Sequence, residues 1–130
     1  AAAQSTGLAA WIGSLMPVGL SLIFLVFLFT ALIIFLTELT SNLATTATFL
    51  PIVAIIATQF GFDPLLLTAA IAIAASCAFM LPVATPPNAI VFGSELIKVP
   101  QMMKAGIVLN LIAIVIVSLA SIYLVPKFLI

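Results

Sequence analysis

The 130-residue chain contains no histidine and no arginine, and its charged side chains are three lysines and three acidic residues. Charged residues therefore make up 5% of the chain, against about 25% in a soluble domain. So few cationic groups cannot form a basic patch for nucleic acid. The chain also lacks the histidines and paired carboxylates that most enzymes use for acid–base chemistry. The composition thus argues against a soluble protein, a nucleic-acid-binding protein and an enzyme.

A single cysteine, Cys77, excludes a disulfide framework and a metal site built from several thiolates. A lone cysteine in an apolar chain usually behaves as a small buried hydrophobic residue. What the chain does contain is hydrophobic side chains, at 66% of residues, with a mean hydropathy of +1.54. Such values are typical of a polytopic protein whose surroundings are the lipid bilayer. We therefore predict an all-α membrane protein.

Interruptions of the apolar pattern divide the chain into four predicted segments. Trp11 lies in the first segment, and tryptophan favours the headgroup region of a bilayer. The last segment is an apolar run that is long enough to cross the bilayer. In chain order, the predicted segments are a short interfacial helix and connector (1–17), a helical hairpin (18–60, with its tip at 37–42), a broken transmembrane helix (64–97, with its break at 82–88) and a final transmembrane helix (105–126).

Three prolines, Pro82, Pro86 and Pro87, interrupt the third segment. A single α-helix over residues 64–97 would be roughly 50 Å long, whereas the hydrocarbon core of a bilayer is about 30 Å thick. Because proline has no N–H, each one leaves the carbonyl four residues before it unpaired. Unpaired backbone groups in lipid are costly unless they line a cavity. We therefore predict that the helix is broken here and that the freed backbone faces a cavity or a ligand.

The polar tip of the second segment, T37-E-L-T-S-N42, has two interpretations. Its two apolar arms could cross the bilayer completely and turn at the far surface. They could instead form a re-entrant hairpin whose tip stops at mid-depth. The tip lacks the glycine, proline and lysine of an ordinary aqueous loop, which favours the re-entrant hairpin.

Helix ends inside a membrane can bind ions without charged side chains. A helix that begins there presents free N–H groups to an anion, and a helix that ends there presents carbonyls to a cation. Ser41 or Asn42 is suited to cap the second arm, and Thr85 precedes Pro86 in the pattern of an N-cap. Asn42 and Asn88 each offer an amide oxygen and an amide nitrogen. Discontinuous helices with such ends are typical of secondary transporters, and their neutral oxygens favour sodium as the cation.

Glu38 is the one acidic residue that the pattern places at membrane depth. A charge at this depth costs at least ~3 kcal/mol on insertion scales. The residue could therefore be a proton carrier or a buried, hydrogen-bonded anchor. The neighbouring hydroxyl groups favour the anchor, and proton coupling stays open.

Two stretches of the chain resemble motifs of the divalent anion/sodium symporter family, the sodium-coupled carriers of dicarboxylates, citrate or sulfate. They are S76-C-A-F-M-L-P-V-A-T-P-P-N-A-I-V91 and T37-E-L-T-S-N-L-A-T-T-A-T-F-L-P51, the latter matching the second Ser-Asn-Thr motif of the family. The resemblance implies a fold of two inverted repeats, of which this chain would be the C-terminal part of the second. The first repeat is therefore expected elsewhere in a longer protein. Members of the family work as homodimers with an elevator-like displacement, and the same is expected here.

The resemblance also implies a binding site for each solute. Sodium would be bound largely through carbonyl oxygens, and the expected sodium ligands are Thr37, Thr40, Asn42 and Ala84. A carboxylate of the substrate would lie against the tip of the hairpin and the start of the helix after the break. The expected substrate-binding residues are Ser41, Asn42, Leu43, Thr85 and Pro86.

Leu43 departs from the family motif, in which this position is often threonine. The missing hydroxyl removes one contact to a substrate, although the backbone N–H of Leu43 remains available. The choice among C4 dicarboxylate, citrate and sulfate therefore stays open, and C4 dicarboxylates are favoured.

The distribution of lysines predicts the orientation in the cell membrane. Lys98 and Lys104 fall on one side of the predicted spans, and Asp63 and Lys127 fall on the other. The positive-inside rule places the loop from Lys98 to Lys104 in the cytoplasm. The C-terminus is then expected outside the inner (cell) membrane.

Two functions compete with sodium symport. A proton-coupled anion carrier would use Glu38 and would not need sodium. A non-transporting structural subunit of a membrane complex would use its Ser, Thr and Asn residues only to cap helices or to join them.

Overall fold

The computed structural model describes residues 7–15 and 21–130. Residues 1–6 and 16–20, which belong to the predicted interfacial segment and to the start of the predicted hairpin, lie outside the described residues. The regular structure of the described residues is entirely helical, which confirms the predicted all-α fold. The helices are α1 (Leu8–Leu15), α2 (Leu22–Thr37), α3 (Asn42–Gln59), α4 (Pro64–Ala74), α5 (Pro86–Gly93) and α6 (Val99–Phe128).

Side-chain caps account for where the helices on either side of the break begin. Asp63 precedes α4, and its carboxylate accepts the N–H of Leu65 at 2.8 Å. Thr85 precedes α5, and its hydroxyl oxygen accepts the N–H of Asn88 at 3.4 Å, which confirms the predicted cap. Each helix also has proline in its first turn, where the missing N–H breaks no helical hydrogen bond.

The interruption between α4 and α5 starts earlier than the sequence predicted. Helix α4 ends at Ala74 and residues 75–85 are non-helical, whereas the break was predicted at 82–88. The predicted break ended too late because Pro86 and Pro87 fit the first turn of α5. It started too late because the tip between α2 and α3 provides hydrogen-bond partners for backbone groups well before the prolines.

Helix α6 is longer than predicted at its N-terminus. It runs over Val99–Phe128, whereas the final transmembrane helix was predicted at 105–126. The N–H of Lys98 donates to the side-chain oxygen of Gln101 at 3.0 Å, which starts the helix before the apolar run begins. Among the described residues, α3 and α6 are the two helices that are long and apolar enough to cross a membrane. That α2 and α3 form a re-entrant hairpin stays a prediction.

Helix α4 lies at the centre of the helix packing, since it packs against α2, α3 and α6. The two arms of the hairpin, α2 and α3, contact each other less than they contact α4. The hydroxyl of Ser121 on α6 donates to the carbonyl of Leu66 on α4. The largest fully buried apolar side chains are Leu25, Ile33, Ile34, Ile56, Leu67 and Ile71.

Helix α6 also approaches the backbone of the break closely, and Gly106 makes this approach possible. A Cβ atom at Gly106 would collide with the carbonyl oxygen of Phe79 and would lie 2.5 Å from the Cα of Met80. Both obstacles are backbone atoms, so they cannot move aside as the end of a flexible side chain could. Small residues allow such close contacts between helices in membranes.

The substitution Gly106→Ala is therefore expected to destabilise the protein. Overpacking of this kind typically costs about 1–3 kcal/mol, so the thermal unfolding midpoint in detergent should fall. Gly93→Ala is the matched control, because a Cβ at Gly93 meets no atom within 4 Å. Equal midpoints for the two variants would contradict the packing described for Gly106.

Candidate functional site

The tip between α2 and α3 is joined to the break between α4 and α5 by the carboxylate of Glu38. Oε1 of Glu38 accepts the backbone N–H groups of Phe79 at 2.8 Å and Met80 at 2.9 Å, and Oε2 accepts that of Leu81 at 3.0 Å. Nδ2 of Asn110, on α6, donates to Oε1 at 2.7 Å. Three consecutive N–H groups that lost their helical partners are thus bound by one side chain.

Glu38 is buried, with 4% of its surface exposed. Every hydrogen-bond partner that the described residues offer it is a donor, and Oε1 alone accepts three of the four bonds. An ionised carboxylate can be accommodated at such a depth because hydrogen bonds to a charged group are roughly twice as strong as neutral ones. This geometry is that of the anchor favoured by the sequence and does not provide an acceptor to which a proton could pass.

Thr37 joins the same two regions, but its hydroxyl donates a hydrogen bond, whereas the carboxylate of Glu38 accepts hydrogen bonds. Its hydroxyl lies 3.0 Å from the carbonyl oxygen of Ala75, the C-cap residue of α4, and 2.6 Å from Oδ1 of Asn42. Thr37 thus donates a hydrogen bond to a carbonyl at the C-terminal end of α4, while the adjacent Glu38 accepts hydrogen bonds from N–H groups that follow in the chain. These hydrogen bonds therefore fix the position of the tip relative to the break.

Asn88 closes the break from its other end. Its Nδ2 donates to the carbonyl of Ala78 at 2.9 Å and to that of Leu81 at 3.0 Å. The carbonyl of Ala78 is one that Pro82 deprives of its helical partner. Because both bonds use Nδ2, only Oδ1 of Asn88 is left to ligate a cation.

The predicted sodium ligands of the tip differ in how their side chains are used. Thr37 and Asn42 are in direct contact. The hydroxyl of Thr40, by contrast, bonds the carbonyl of Leu36 at 2.9 Å and the hydroxyl of Thr45 at 2.7 Å. The hydroxyl of Thr40 is therefore engaged within its own hairpin, which favours the backbone carbonyl of Thr40 over its hydroxyl as an ion ligand.

The predicted substrate-binding residues surround the two helix starts. Ser41 is the N-cap residue of α3, but its exposed side chain makes no capping hydrogen bond, so the first turn of α3 has no side-chain cap. Leu43 is 80% exposed in the same turn. Thr85 is the N-cap residue of α5 and Pro86 is the first residue of that helix, and Ala84, the remaining predicted sodium ligand, directly precedes them.

One cavity of the described residues lies beside the break, and another lies beside the tip. A cavity of about 440 Å³ lies between α5 and the first turns of α6, with an apolar lining that includes Val91, Ile97, Met102 and Leu109. A lining of this kind suits an apolar group and does not suit a dianion. A smaller cavity of about 150 Å³ includes Thr40, Thr45 and Thr48.

The chemistry available at the tip and the break is that of neutral oxygens and amides. Within the described ranges, no three His, Cys, Asp or Glu side chains are grouped so that they could hold a metal ion. A cation there would rely on carbonyl, hydroxyl and amide oxygens, which suit a hard ion such as sodium. An interrupted helix that faces a polar hairpin tip in an apolar chain defines the class of secondary transporters.

Comparison with known proteins assigns the family within this class. The model of the sodium:sulfate symporter transmembrane region matches residues 1–129. The chain is 44% identical over 125 residues to the sodium-dependent dicarboxylate transporter SdcS of Staphylococcus saprophyticus, and 47% identical over 125 residues to SdcS of Staphylococcus aureus strain MRSA252. Each match covers 95% of this chain and 24% of the relative. The chain therefore belongs to the sodium:sulfate symporter family, and it spans about a quarter of the length of these relatives.

Family membership confirms the resemblance carried by the two motifs and confirms that the chain belongs to a membrane protein. The family and these relatives are transporters and not enzymes, as the composition predicted. The names of the family and of these relatives include sodium, the cation that the neutral oxygens predicted. The role of each site residue stays a prediction.

The substitution Glu38→Gln tests the anchor. A glutamine has one acceptor oxygen, so its amide nitrogen would face at least one N–H of the break, and a hydrogen bond to a charged group is worth about 1.5–3 kcal/mol. The thermal unfolding midpoint should fall, while the remaining transport in proteoliposomes should still require sodium. A proton carrier predicts instead that the variant loses coupling to the proton gradient and that sodium is dispensable.

Glu95→Gln is the matched control for this prediction. Glu95 is exposed in the loop after α5, and the same change of charge there should leave the unfolding midpoint and the sodium requirement unchanged. An unfolding midpoint of Glu38→Gln equal to that of Glu95→Gln would contradict the anchor.

Proposed function

We propose that this chain provides half of the binding site of a sodium-coupled transporter of small divalent anions, with C4 dicarboxylates as the substrate class. The observation that carries the proposal is the joining of a polar hairpin tip to a helix break by Thr37 and Glu38, two regions far apart in the sequence. Membership of a family of sodium symporters supports the coupling ion. The dicarboxylate transporters among the relatives support the substrate class.

Sodium binds, on this proposal, to oxygen atoms of Thr37, Thr40, Asn42 and Ala84. The contact between Thr37 and Asn42 supports a shared ion at the tip. Thr40 contributes its backbone carbonyl, since its hydroxyl is engaged with Leu36 and Thr45. Ala84 contributes a carbonyl from the end of the break.

The substrate dianion binds next to the sodium ion, between the N-terminal turns of α3 and α5. Ser41, Asn42 and the N–H of Leu43 contact one carboxylate, and Thr85 and Pro86 lie beside it. The absence of a side-chain cap on α3 supports this assignment, because the free N–H groups and the helix dipole favour an anion. The sodium ion supplies the positive charge that the side chains of the tip and the break do not.

The transport cycle that we propose begins with sodium, which orders the tip and the break so that the dianion can bind. The loaded unit then moves against a scaffold in an elevator-like displacement that exposes the site to the other side. The scaffold and the first repeat belong to the longer protein, which acts as a homodimer. In the cell membrane, the segment from Lys98 to Lys104 faces the cytoplasm and the C-terminus faces outward.

The two competing functions have less support. Proton coupling through Glu38 is opposed by a carboxylate whose partners in the described residues are all donors. A structural subunit is opposed by membership of a transporter family over residues 1–129.

The substitution Asn42→Ala is expected to abolish sodium-driven uptake, because it removes an oxygen of the sodium site and an amide of the substrate site together. Counterflow of labelled succinate, citrate and sulfate into proteoliposomes, with and without sodium, measures both the activity and the substrate class. Gln59→Ala, at the other end of α3, is the matched control and should transport normally. Unchanged sodium-driven uptake by Asn42→Ala would refute the assignment of the site.

A matched pair at position 43 tests whether this residue faces the substrate. Thr and Val have the same shape, so Leu43→Thr and Leu43→Val differ only in one hydroxyl group. A hydrogen bond from that hydroxyl to a carboxylate should give Leu43→Thr a KM for succinate about three- to tenfold lower than that of Leu43→Val. Equal KM values for the two variants would remove position 43 from the substrate site.

A further inference from the structure

We propose that Asn110 is a positioning residue of the sodium site, which it serves without touching the ion. The inference rests on the proposed function and adds to it a residue of α6 that lies outside both motifs. Asn110 holds Glu38 and the backbone of the break in the one arrangement that allows the oxygens of the tip and the break to face a common ion.

The geometry is a closed triangle of hydrogen bonds among three separate parts of the fold. Nδ2 of Asn110 donates to Oε1 of Glu38 at 2.7 Å, and Oδ1 of Asn110 lies 3.2 Å from the backbone nitrogen of Phe79. The N–H of Phe79 also donates to Oε1 of Glu38 at 2.8 Å, so its hydrogen is shared by the two acceptors. Each corner of the triangle therefore bonds both of the others.

Asparagine is the side chain that this position requires. Its amide donates and accepts within one short planar group, whereas an ionised aspartate only accepts and leucine does neither. Asn110 is fully buried, and a buried amide is costly unless its hydrogen bonds are made. Gly106, one turn earlier, allows the backbone of the break to approach α6 closely enough for this short side chain to reach it.

The position of Glu38 in the chain links this triangle to the ion. The predicted ligands Thr37 and Asn42 flank Glu38, and Ala84 follows Leu81, the last residue whose N–H Glu38 accepts. A rotation of the Glu38 carboxylate would therefore displace the oxygens of the tip relative to those of the break. Asn110 opposes this rotation, since it holds Oε1 from the side of α6.

A positioning role predicts a specific kinetic signature. Without Asn110, the ion-competent arrangement should be a smaller fraction of the molecules, and apparent affinity falls in proportion to that fraction. Saturating sodium restores the competent arrangement, so the maximal rate should be retained. A merely structural residue gives the opposite result, with fewer active molecules and an unchanged sodium half-saturation concentration.

The first experiment compares Asn110→Leu with Ser121→Ala in the intact transporter, reconstituted in proteoliposomes. Asn110→Leu should raise the sodium concentration for half-maximal uptake about tenfold or more, as expected for the loss of a hydrogen bond to a charged group, with the maximal rate largely kept. Ser121→Ala removes a bond between α6 and α4 that does not involve Glu38, so its sodium half-saturation should equal that of the wild type.

The second experiment uses Asn110→Gln and keeps the inference testable if the leucine variant folds poorly. Glutamine keeps an amide that donates and accepts, but its side chain is one methylene group longer, so the amide cannot take the same position between Glu38 and Phe79. Sodium affinity should therefore fall below that of the wild type. Sodium-dependent thermal stabilisation without substrate measures this affinity separately from transport.

The possible outcomes distinguish a failure of the positioning role from a failure of the proposed function. A wild-type protein whose uptake and stability ignore sodium overturns the proposed function, and the role of Asn110 falls with it. A sodium-dependent wild type with normal half-saturation in Asn110→Leu, or with unchanged sodium affinity in Asn110→Gln, overturns the positioning role alone.

Discussion

The structure depends on one constraint, which is that backbone groups released from a helix in an apolar environment must find other partners. The break between α4 and α5 releases both carbonyls and N–H groups. Thr37 donates to the carbonyl of Ala75, Asn88 donates to two carbonyls further on, and Glu38 accepts hydrogen bonds from three consecutive N–H groups. The polar residues of this chain are thus placed where the backbone needs them. The non-helical segment between α4 and α5 therefore has a defined backbone conformation.

This distribution of partners also decides which groups are left for solutes. Three N–H groups of the break are engaged by Glu38 and cannot bind an anion, which favours the helix starts as the anion site, and α3 has no side-chain cap. The charge of Glu38 is likewise engaged by four donors and is not offered to a cation. The carboxylate of Glu38 therefore holds the backbone of the break in place. On the proposed function, neutral oxygens are left to bind sodium.

The sequence predicts that the helix over residues 64–97 is interrupted. It does not predict where the interruption starts, and the reason is physical. Prolines reveal a break because their effect on the backbone is local. The early end of α4 depends on Glu38, which lies far away in the chain, and no local pattern reports that contact. The sequence pattern does not single out Asn110, because this residue lies within a run that has the composition of one apolar span. A single amide side chain within an apolar run is the signal that could have identified Asn110.

The same constraint explains how binding of one solute can require the other. Neither the tip at 37–42 nor the stretch at 82–88 contains a lysine or an arginine. A dianion placed there alone would have only helix dipoles and amides to balance two charges, and a helix start carries only about half an elementary charge. Sodium supplies the missing charge and, by linking the tip to the break, also orders the groups that meet the dianion. On the proposed function, coupling therefore follows from the absence of a fixed cation, because a lysine in the same place would bind the anion without sodium.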